Sequence, residues 1–368
     1  MTRSTSAPAQ HIRALFLPGT RQAGKFSGPF EGETPDPSRR PDFLYEYGVR
    51  AILCDRNNAP LNPFANSSVL YAGLDPARAV RIVLFERRAD VVICISENTA
   101  IFLLLLRRIF FFRPKVVLLE VSPRGWWIRD RILNFVVPRV DCIITLTTDS
   151  RNYVERTYRP KGPIHVVTSG VNEVFYVPRE RTPEFDVLSL GEDGSRDFTT
   201  LLEAGRTMRC TLLVKTSQAL SVPPEMKERV KILKNRISFA QLRELYAAAR
   251  IVCIPLIPSD NAGGITTLLE AMAMGKPLVV SDHGTTRDHL THGREGLIVP
   301  SRDPSAMRDA LQKLLENPVF AADLGARARA RVMREFAMPA RAGKLAAVLR
   351  KVAGAPEWPV AGASVHER

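Results

Sequence analysis

The chain has 368 residues, a length that fits two domains of ordinary size. With 45% hydrophobic and 24% charged residues, the composition excludes a disordered, collagen-like or fibrous protein. Lys and Arg number 52 against 38 Asp and Glu, which gives a net charge of +14 and predicts anionic partners: phosphates, acidic lipids or nucleic acid.

Short apolar runs alternate with helical patterns through the first half. The run at 13–17 is predicted as a strand rather than as a signal sequence. The longest apolar run, 100–106, is far shorter than the roughly 20 residues that span a bilayer. Near-continuous apolar strands separated by helices predict a parallel sheet with helices on both faces. We expect strands at 13–17, 50–54, 90–95, 115–120, 141–146 and 164–168, and helices at 76–88, 98–112, 126–139 and 149–157.

The same alternation starts again in the second half. A stretch rich in Gly, Pro and charge at 169–185 resembles a connector, so the chain is predicted to be bilobal. We expect domains at 1–175 and 176–340, followed by a C-terminal helix and tail, 341–368, that packs back on the first domain. The second-half strands are expected at 186–190, 211–215, 229–233, 251–255, 277–281 and 296–299, and the helices at 197–207, 239–249, 265–274, 285–291, 304–316 and 319–335.

The segment DNAGGITTLLEAMAMGKPLVVS, 260–281, carries the chemistry. Its two glycines, Gly263 and Gly264, precede a predicted helix whose free N–H groups suit a phosphate. Helical spacing places Glu270 on the side of Thr266 and Thr267, where a carboxylate can accept hydrogen bonds from the two hydroxyls of a ribose. A solvated helix face behind an ordinary turn fits this spacing equally well.

These motifs together resemble the donor half of GT-B glycosyltransferases, particularly glycosyltransferase family 4. The stretches that carry the resemblance are GGITTLLEAMAMGKPLVVSDHGTTRDHLTHGREGLIVPSRDP, SFAQLRELYAAARIVCIPL, SGVNEVFYVP and DPSAMRDALQKLLENPVFAADLGARARARV, in the family's order. The resemblance covers roughly residues 140–345. It implies an α/β protein of GT-B architecture, with two Rossmann-like doubly wound parallel-sheet domains facing a cleft.

The resemblance also implies which residues bind a nucleoside diphosphate-sugar. Glu270 matches the family's ribose-binding glutamate, and Arg196 lies where a basic residue meets the diphosphate. The remaining donor-binding positions surround the diphosphate (Gly263, Gly264, Ile265, Thr266 and Thr267) and the nucleobase (Arg236, Ile237 and Ser238). Without the family, Arg196 reads as an ordinary surface arginine.

Two positions depart from the family pattern. The first glutamate of the paired-glutamate motif, expected in the catalytic site, is Ala262 here, although Asp260 and Asn261 are adjacent. The arginine that usually follows the glycine after the first strand of the donor domain is Glu192. A non-catalytic bilobal nucleotide-binding or scaffold protein therefore stays open as an alternative.

A catalytic base is not evident in the first half. The stretch VVLLEVSPRGWW, 116–127, lacks the histidine that family 4 often has there. Glu120 is the nearest carboxylate, and Glu97, Glu31 and Glu33 are the other candidates for a base in an inverting enzyme. For each of them an ordinary surface or strand-end carboxylate is the competing interpretation.

Basic, aromatic and aliphatic residues are mixed in AIFLLLLRRIFFFRPK, 100–115, and in WWIRDRILNFVVPR, 126–139. A helix with an apolar and a basic face can lie in the interface of an anionic membrane, although a core helix with a basic edge has the same pattern. The candidate membrane residues are Arg107, Arg108, Phe111, Arg113, Trp126 and Trp127. An RNA-binding signature is lacking, so nucleic acid is not expected as a partner.

The cysteines are scattered singly and the sequence has no Asp-x-Asp motif, so neither a zinc site nor a divalent-metal site is expected. We therefore expect no cofactor beyond the donor substrate. The sequence predicts a retaining, metal-independent glycosyltransferase that acts on a saccharide or lipid-linked saccharide in polysaccharide or glycolipid biosynthesis. It is expected in the cytoplasm, peripheral on the inner face of the cytoplasmic membrane; an inverting enzyme is the alternative within the class.

Overall fold

The first lobe is a parallel sheet whose buried strands consist mainly of Val, Ile, Leu and Cys. The computed structural model describes residues 10–17, 41–54, 76–121, 127–259 and 262–359. In this part of the chain the first-lobe strands are β1 (Ile12–Leu17), β2 (Val49–Leu53), β3 (Val91–Cys94), β4 (Lys115–Leu119), β5 (Cys142–Thr145) and β6 (Ile164–Val166). Its helices are α1 (Pro76–Phe85), α2 (Glu97–Ile109), α3 (Trp127–Val136) and α4 (Thr148–Tyr158), with 3₁₀ turns at Pro41–Tyr47 and Val137–Arg139.

The second lobe repeats this plan. Its strands are β7 (Phe185–Leu190), β8 (Leu212–Lys215), β9 (Val230–Leu233), β10 (Ala249–Ile254), β11 (Leu278–Ser281) and β12 (Leu297–Val299). Its helices are α5 (Phe198–Gly205), α6 (Phe239–Ala248), α7 (Ile265–Ala273), α8 (Gly284–His289), α9 (Pro304–Glu316) and α10 (Pro318–Arg331). A 3₁₀ turn covers Pro224–Met226, and a π-helical turn, Val332–Phe336, leads into α11 (Met338–Ala353).

Both sheets are doubly wound, as the sequence predicts. Their strand orders are β2-β1-β3-β4-β5-β6 and β12-β11-β10-β7-β8-β9, and neighbouring strands pair in parallel. In the second sheet, β8 and β9 are added on one side of β7 and β10, β11 and β12 on the other, so the strand order reverses between β7 and β10. In open α/β sheets ligands bind at such a switch point, outside the carboxyl ends of the strands.

The last helix closes the first lobe rather than the second. Helices α1, α2 and α3 cover one face of the first sheet. Ala342, Leu345, Ala346 and Leu349 of α11 are buried against the other face, beside Ala14 and Val91. The chain therefore crosses between the lobes twice, and the two crossings pair where Val171 N–H donates to the Phe336 carbonyl, 3.0 Å.

The carboxyl ends of the two sheets face each other. Helix α4 follows β5 and helix α8 follows β11, and the two helices meet across the lobes. Thr148 N–H donates to Asp288 Oδ2, 2.7 Å, and Arg287 Nη1 donates to Asp149 Oδ2, 3.0 Å. A Cβ on Gly284 would lie 2.5 Å from Asp149 Oδ2, so a glycine permits this approach. The loops at the carboxyl ends of the strands thus border an interlobe cleft.

Candidate active site

The loops that follow β7 and β10 join at the switch point of the second sheet. Asp197 N–H donates to the Pro255 carbonyl, 3.0 Å, and Ile257 N–H donates to the Ser195 carbonyl, 2.9 Å. Leu256 N–H donates to Ser281 Oγ, 3.0 Å, which ties the same loop to the end of β11. These backbone contacts bring Arg196 next to the first turn of α7.

Arg196 is buried at this junction, with only 3% of its side chain exposed. Its Nε donates to Asp193 Oδ2 and its Nη2 to Thr267 Oγ1, both at 3.0 Å. Its Nη1 is buried and donates to no acceptor among the described residues. A Cβ at Gly191 would overlap the guanidinium, so the glycine after β7 is needed for this placement.

Asp193 holds the guanidinium in place as an ionised carboxylate. Burial by itself raises the pKa of Asp193, but the charge of Arg196 and hydrogen bonds from the Ser195 hydroxyl and N–H together lower it below the ordinary value. One carboxylate balances the charge of this almost fully buried guanidinium, but the remaining Nη1 donor still needs a hydrogen-bond acceptor, and a phosphate oxygen is a suitable one.

Helix α7 begins at a glycine in the left-handed region. Gly264 is its N-cap residue, with φ of 77°, and a Cβ there would lie 3.2 Å from Leu256 Cδ2 and 3.3 Å from Ile254 Cγ2. Ile265, Leu268 and Leu269 are buried in the second core, as the helical spacing predicts. The first-turn N–H groups that helix geometry leaves without intrahelical acceptors lie beside Gly263, Gly264 and the exposed Thr266.

Glu270 is buried, 7% exposed, rather than on an open helix face. Tyr176 Oη donates to its Oε1, 2.9 Å, and Tyr246 Oη donates to its Oε2, 2.8 Å. Burial, followed by the charge of Glu270, raises the pKa of Tyr246 well above its usual value. The phenol therefore stays a donor, and each carboxylate oxygen has the capacity to accept more than one hydrogen bond.

The proposed nucleobase loop, Arg236 to Ser238, lies between β9 and α6. Ser238 is the N-cap of α6: its hydroxyl accepts from Gln241 N–H, 3.1 Å, while the Gln241 side chain accepts from Ser238 N–H, 2.9 Å. Arg236 is exposed, and Ile237 is half-buried. The Ser238 side chain is thus committed to the start of the helix.

Glu192 and Ala262, the two residues that depart from the family pattern, differ in their neighbours. Glu192 Oε1 accepts from Lys215 Nζ, 2.5 Å, and its Oε2 accepts from Ser217 N–H, 2.6 Å. Burial raises the pKa of Glu192, but Lys215 and Ser217 lower it further than burial raises it. Ala262 is half-buried directly before the Gly263–Gly264 turn, and its methyl group supplies no carboxylate there. Asp260 and Asn261 lie outside the described residues.

Glu120 stands at the end of β4, at the cleft side of the first sheet. It is half-buried, its φ is 62°, and its N–H donates to the Ile144 carbonyl, 2.7 Å. A non-glycine residue in this backbone region is uncommon. Glu97 is instead buried in the first turn of α2. The other two carboxylates considered from the sequence, Glu31 and Glu33, lie outside the described residues.

The residues considered for membrane contact divide into two groups. Arg108, Phe111 and Arg113 are exposed at and beyond the end of α2. Arg107 instead donates to both oxygens of Asp141, 2.7 and 3.2 Å, which ties it to the start of β5. Trp126 lies outside the described residues, and of Trp127 only its place at the start of α3 is described.

Membrane-spanning helices and metal-binding clusters are both lacking in the described part of the chain. None of the helices there is long and apolar enough to cross a bilayer. No group of three or more His, Cys, Asp or Glu side chains among the same residues is arranged to hold a metal ion.

Two α/β lobes with facing carboxyl edges are the architecture of GT-B glycosyltransferases. Residues 197–317 match the family of glycosyl transferases group 1. This match confirms the resemblance to group 1 GT-B glycosyltransferases, and with it the fold class and the enzyme class predicted from the sequence.

Curated relatives and solved structures agree with this assignment. Alpha-maltose-1-phosphate synthase of Mycolicibacterium smegmatis is 25% identical over 62% of this chain and 67% of its own length. The lipopolysaccharide core biosynthesis mannosyltransferase LpsB of Rhizobium meliloti is 26% identical over 67% of this chain and 74% of its own.

Among solved structures, sucrose-phosphate synthase of Thermosynechococcus elongatus superposes with a TM-score of 0.72 at 17% identity, over 93% of this chain and 99% of its own. Anabaena HepE, solved in complex with UDP-glucose, gives 0.67 at 16% identity over 93% of this chain and 100% of its own. At these identities the structures show the shared fold.

Sequence reasoning missed the partners that hold the site residues. Tyr176 comes from the interlobe crossing, Tyr246 from α6 and Asp193 from the loop after β7, and each contacts a site residue. Asp193 was detectable as an acid three residues from Arg196. The tyrosines had no such signal, because Tyr176 and Tyr246 are 94 and 24 residues from Glu270.

Proposed function

We propose that the protein transfers a sugar from a nucleoside diphosphate-sugar to an acceptor hydroxyl, with retention of configuration and without a metal ion. The observation that carries the proposal is the buried Arg196 guanidinium, whose Nη1 donates to no acceptor among the described residues, beside the start of α7. An arginine fork and a helix N-terminus together suit a diphosphate. The complex of Anabaena HepE with UDP-glucose supports the same class of donor.

The rest of the donor would extend along α7. Glu270 would accept hydrogen bonds from the ribose hydroxyls in addition to those from Tyr176 and Tyr246, since a carboxylate oxygen can accept more than one. The nucleobase would lie at the 236–238 loop. The two tyrosines would act as positioning residues, because each donates a hydrogen bond to one oxygen of the carboxylate.

In the proposed reaction the bond between the anomeric carbon and the diphosphate oxygen breaks, and its electron pair leaves with the diphosphate. Arg196 and the α7 N-terminus would stabilise that developing charge. The acceptor oxygen would bond to the same face of the anomeric carbon, and its proton would pass to an oxygen of the departing diphosphate. This route needs no protein base.

An inverting reaction is the second candidate, and the position of Glu120 is the observation that favours it. The carboxylate stands at the cleft end of β4 on a backbone with φ of 62°, and uncommon backbone conformations cluster at functional sites. In that reaction Glu120 would take the acceptor proton while the acceptor attacks the opposite face. Glu120→Gln then abolishes transfer, whereas a retaining enzyme keeps most of its activity.

The proposed acceptor is a lipid-linked saccharide at the cytoplasmic membrane face. The similarity to a lipopolysaccharide core mannosyltransferase supports a saccharide acceptor of this class. The exposed Arg108, Phe111 and Arg113 after α2 support work at an anionic surface. The remaining alternative, a non-catalytic scaffold, is motivated by Ala262 and Glu192 and predicts nucleotide binding without turnover.

The proposal is tested by ligand binding and then by turnover. In a thermal-shift screen, a nucleoside diphosphate or its sugar should raise the unfolding temperature, because it binds only the folded state. The purified protein with that donor and a saccharide acceptor should then give a product whose anomeric configuration, read by NMR, matches that of the donor. Binding without transfer or donor hydrolysis would support the scaffold, and an inverted product would support the second candidate.

The variant Arg196→Ala tests whether the buried guanidinium binds the diphosphate. It should weaken nucleoside diphosphate binding by about 1.5–3 kcal/mol, the range for hydrogen bonds to charged groups, and weaken nucleoside binding far less. The matched control is Arg209→Ala, because Arg209 is exposed after α5 and should leave both affinities unchanged. Equal losses for the nucleoside and the diphosphate would mean that Arg196 does not meet the phosphates.

A further inference from the structure

The amino-terminal edge of the first sheet, opposite the donor site, forms a surface that includes the exposed residues after α2. Because β3, β4, β5 and β6 are parallel, the turns that precede them lie at one edge, opposite the cleft. Helices α1 and α2 run back along the sheet and end at the same edge, at Phe85 and Ile109. We call this edge, with residues 85–88, 108–113, 139 and 161, the basal surface.

Large apolar side chains project from the basal surface. Phe111 is 86% exposed, Phe85 is 77% exposed and Ile109 is 67% exposed. Arg87 Nη2 donates to the Phe110 carbonyl, 3.3 Å, so the turn after α1 touches the turn after α2 and the three side chains belong to one area. Phe111 also has φ of 50°. Clustered exposed hydrophobic residues of this size mark an interaction surface rather than ordinary scatter.

A basic pocket adjoins these side chains. Its volume is about 690 Å³, and its lining includes Arg107, Arg108, Arg139 and Lys161 beside Phe111 and Phe112. Arg107 is paired with Asp141, 2.7 Å, whereas Arg108, Arg139 and Lys161 form no ion pair with any described residue. The Arg139 guanidinium is held over the Phe135 ring, 4.1 Å from its centroid. The pocket therefore carries uncompensated positive charge next to exposed aromatic carbon.

We propose that the basal surface docks on an anionic membrane, with a lipid head-group phosphate in this pocket and Phe85, Ile109 and Phe111 in the interfacial layer. Arginine forks match phosphate oxygens, and basic groups near an acidic bilayer are attracted by its negative surface potential. Apolar side chains beside the cations are what a membrane interface requires, while nucleic acid would leave the aliphatic Ile109 without a partner.

Docking at this edge constrains the acceptor, and this step rests on the proposed function. The donor site faces the carboxyl ends of the strands, and β4 alone spans five residues, or about 17 Å. The receiving hydroxyl would lie at least that far from the head groups. The acceptor is therefore a saccharide in which several sugar units separate that hydroxyl from the lipid.

Co-sedimentation of the full chain with vesicles tests the docking. The parent protein should bind phosphatidylglycerol-containing vesicles and bind pure phosphatidylcholine vesicles at least tenfold more weakly. The double variant Arg108→Glu, Lys161→Glu should lose at least tenfold of the binding, and Phe111→Ser should lose several-fold. The matched control, Lys227→Glu with Lys231→Glu, reverses two exposed lysines of the second lobe and should sediment much more like the parent.

Several outcomes would overturn the proposal. They are a parent protein that does not sediment, one that binds neutral vesicles equally well, and charge-reversed variants that bind as the parent does. If free glycerol phosphate raises the unfolding temperature of the parent and of Phe111→Ser but not of Lys161→Glu, the pocket binds a soluble anion. If the parent is a dimer and Phe111→Ser is a monomer, the surface is an interface between two copies of the chain. If the parent binds RNA in a salt-sensitive way and the double variant does not, the surface is a nucleic-acid site.

The same variants separate this proposal from the proposed function. Nucleoside diphosphate binding in the double variant should equal that of the parent, because the basal surface is opposite the cleft. If the parent binds vesicles but no nucleotide, the proposed donor site fails and the docking surface stands. If it binds and turns over nucleotide-sugar but never sediments with anionic vesicles, the docking proposal fails alone.

Discussion

A carboxylate in a protein core is tolerated when donors satisfy its oxygens. At Glu270 those donors are two phenols, one from the interlobe crossing and one from α6. A similar arrangement holds at Arg196, where Asp193 and Thr267 take two of its nitrogens. Each charged group is thus oriented by protein neighbours before any ligand arrives. The hydrogen bond from Arg196 to Thr267 also brings the loop after β7 to the helix that carries Glu270, although the two bonded residues are 71 positions apart.

Glu270→Gln tests the ribose role at the residue scale. The substitution keeps the shape but removes the charge, and it should weaken nucleoside diphosphate binding by about 1.5–3 kcal/mol, measured by calorimetry on protein that unfolds cooperatively. Glu228→Gln is the control, because Glu228 is exposed near β9. Unchanged nucleotide affinity in a folded Glu270→Gln variant would contradict the role.

Helix α7 illustrates how one element serves both packing and binding. Its apolar residues are buried against the second sheet, and its glycine cap lets the chain turn closely over Leu256 and Ile254. The polar face predicted from spacing is divided in the structure: Thr266 is exposed, while Thr267 and Glu270 are buried. A helix face that looks solvent-exposed in sequence is here covered by α6 and the interlobe crossing.

Gly264→Ala should damage this element. Alanine in the left-handed region costs about 1–2 kcal/mol, and its Cβ would press on Leu256 Cδ2 at 3.2 Å. We expect lower stability in urea unfolding and weaker nucleoside diphosphate binding. Gly293→Ala is the control, since Gly293 has φ of 74° and a methyl group added there would meet nothing within 4 Å. Equal affinity losses in both variants would argue against a role for the α7 start.

Lys276, in the turn between α7 and β11, should make the free energy of unfolding depend on pH. Lys276 Nζ donates to the carbonyls of Ala247 and Ala249, both at 2.9 Å, and burial lowers the pKa of Lys276 to about 8. Between about pH 8 and about pH 10.4, the ordinary lysine value, the unfolded chain binds more protons than the folded one. Stability from this group therefore rises with pH across that window.

Comparison of the parent with Lys276→Met measures this dependence. The free energy of unfolding of the parent, relative to that of the variant, should increase from about pH 8 to about pH 10. Lys227→Met serves as the control, because Lys227 is exposed, and its difference from the parent should stay nearly constant. Parallel curves for parent and Lys276→Met would contradict the lowered pKa.

At the scale of the whole molecule, the positive groups proposed to meet the diphosphate belong to the protein itself. Arg196 and the α7 N-terminus belong to the second lobe, and contacts such as Arg287 to Asp149 hold that lobe against the first. We expect transfer activity to persist in excess EDTA, because these groups would stabilise the leaving diphosphate. Turnover that chelation abolishes and magnesium or manganese restores would contradict the metal-independent reaction. The control is donor binding measured with and without EDTA, which separates loss of affinity from loss of chemistry.

The doubly wound fold could be predicted from the local pattern of apolar and polar residues in the sequence. Apolar runs such as VVICI and CIITL, each followed by a helical stretch, predict parallel strands, and both sheets have that form. Strand ends differ by one or two residues, as the ends of elements usually do. Helix α2 was expected to reach 112 but ends at Ile109, because Phe111 adopts a left-handed conformation before Pro114.

By itself the sequence determined the fold class, the glycosyltransferase class and the residues on α7, because alternation, helical spacing and family motifs are properties of contiguous segments. The domain boundaries and the role of each site residue stay predictions. Only the tertiary structure decided that Glu270 is held by Tyr176 and Tyr246, that Arg107 is spent on Asp141, and that Phe85 and Phe111 share one surface. These contacts join segments 23 to 94 residues apart, and no local periodicity records which distant side chains the crossing of two lobes brings together.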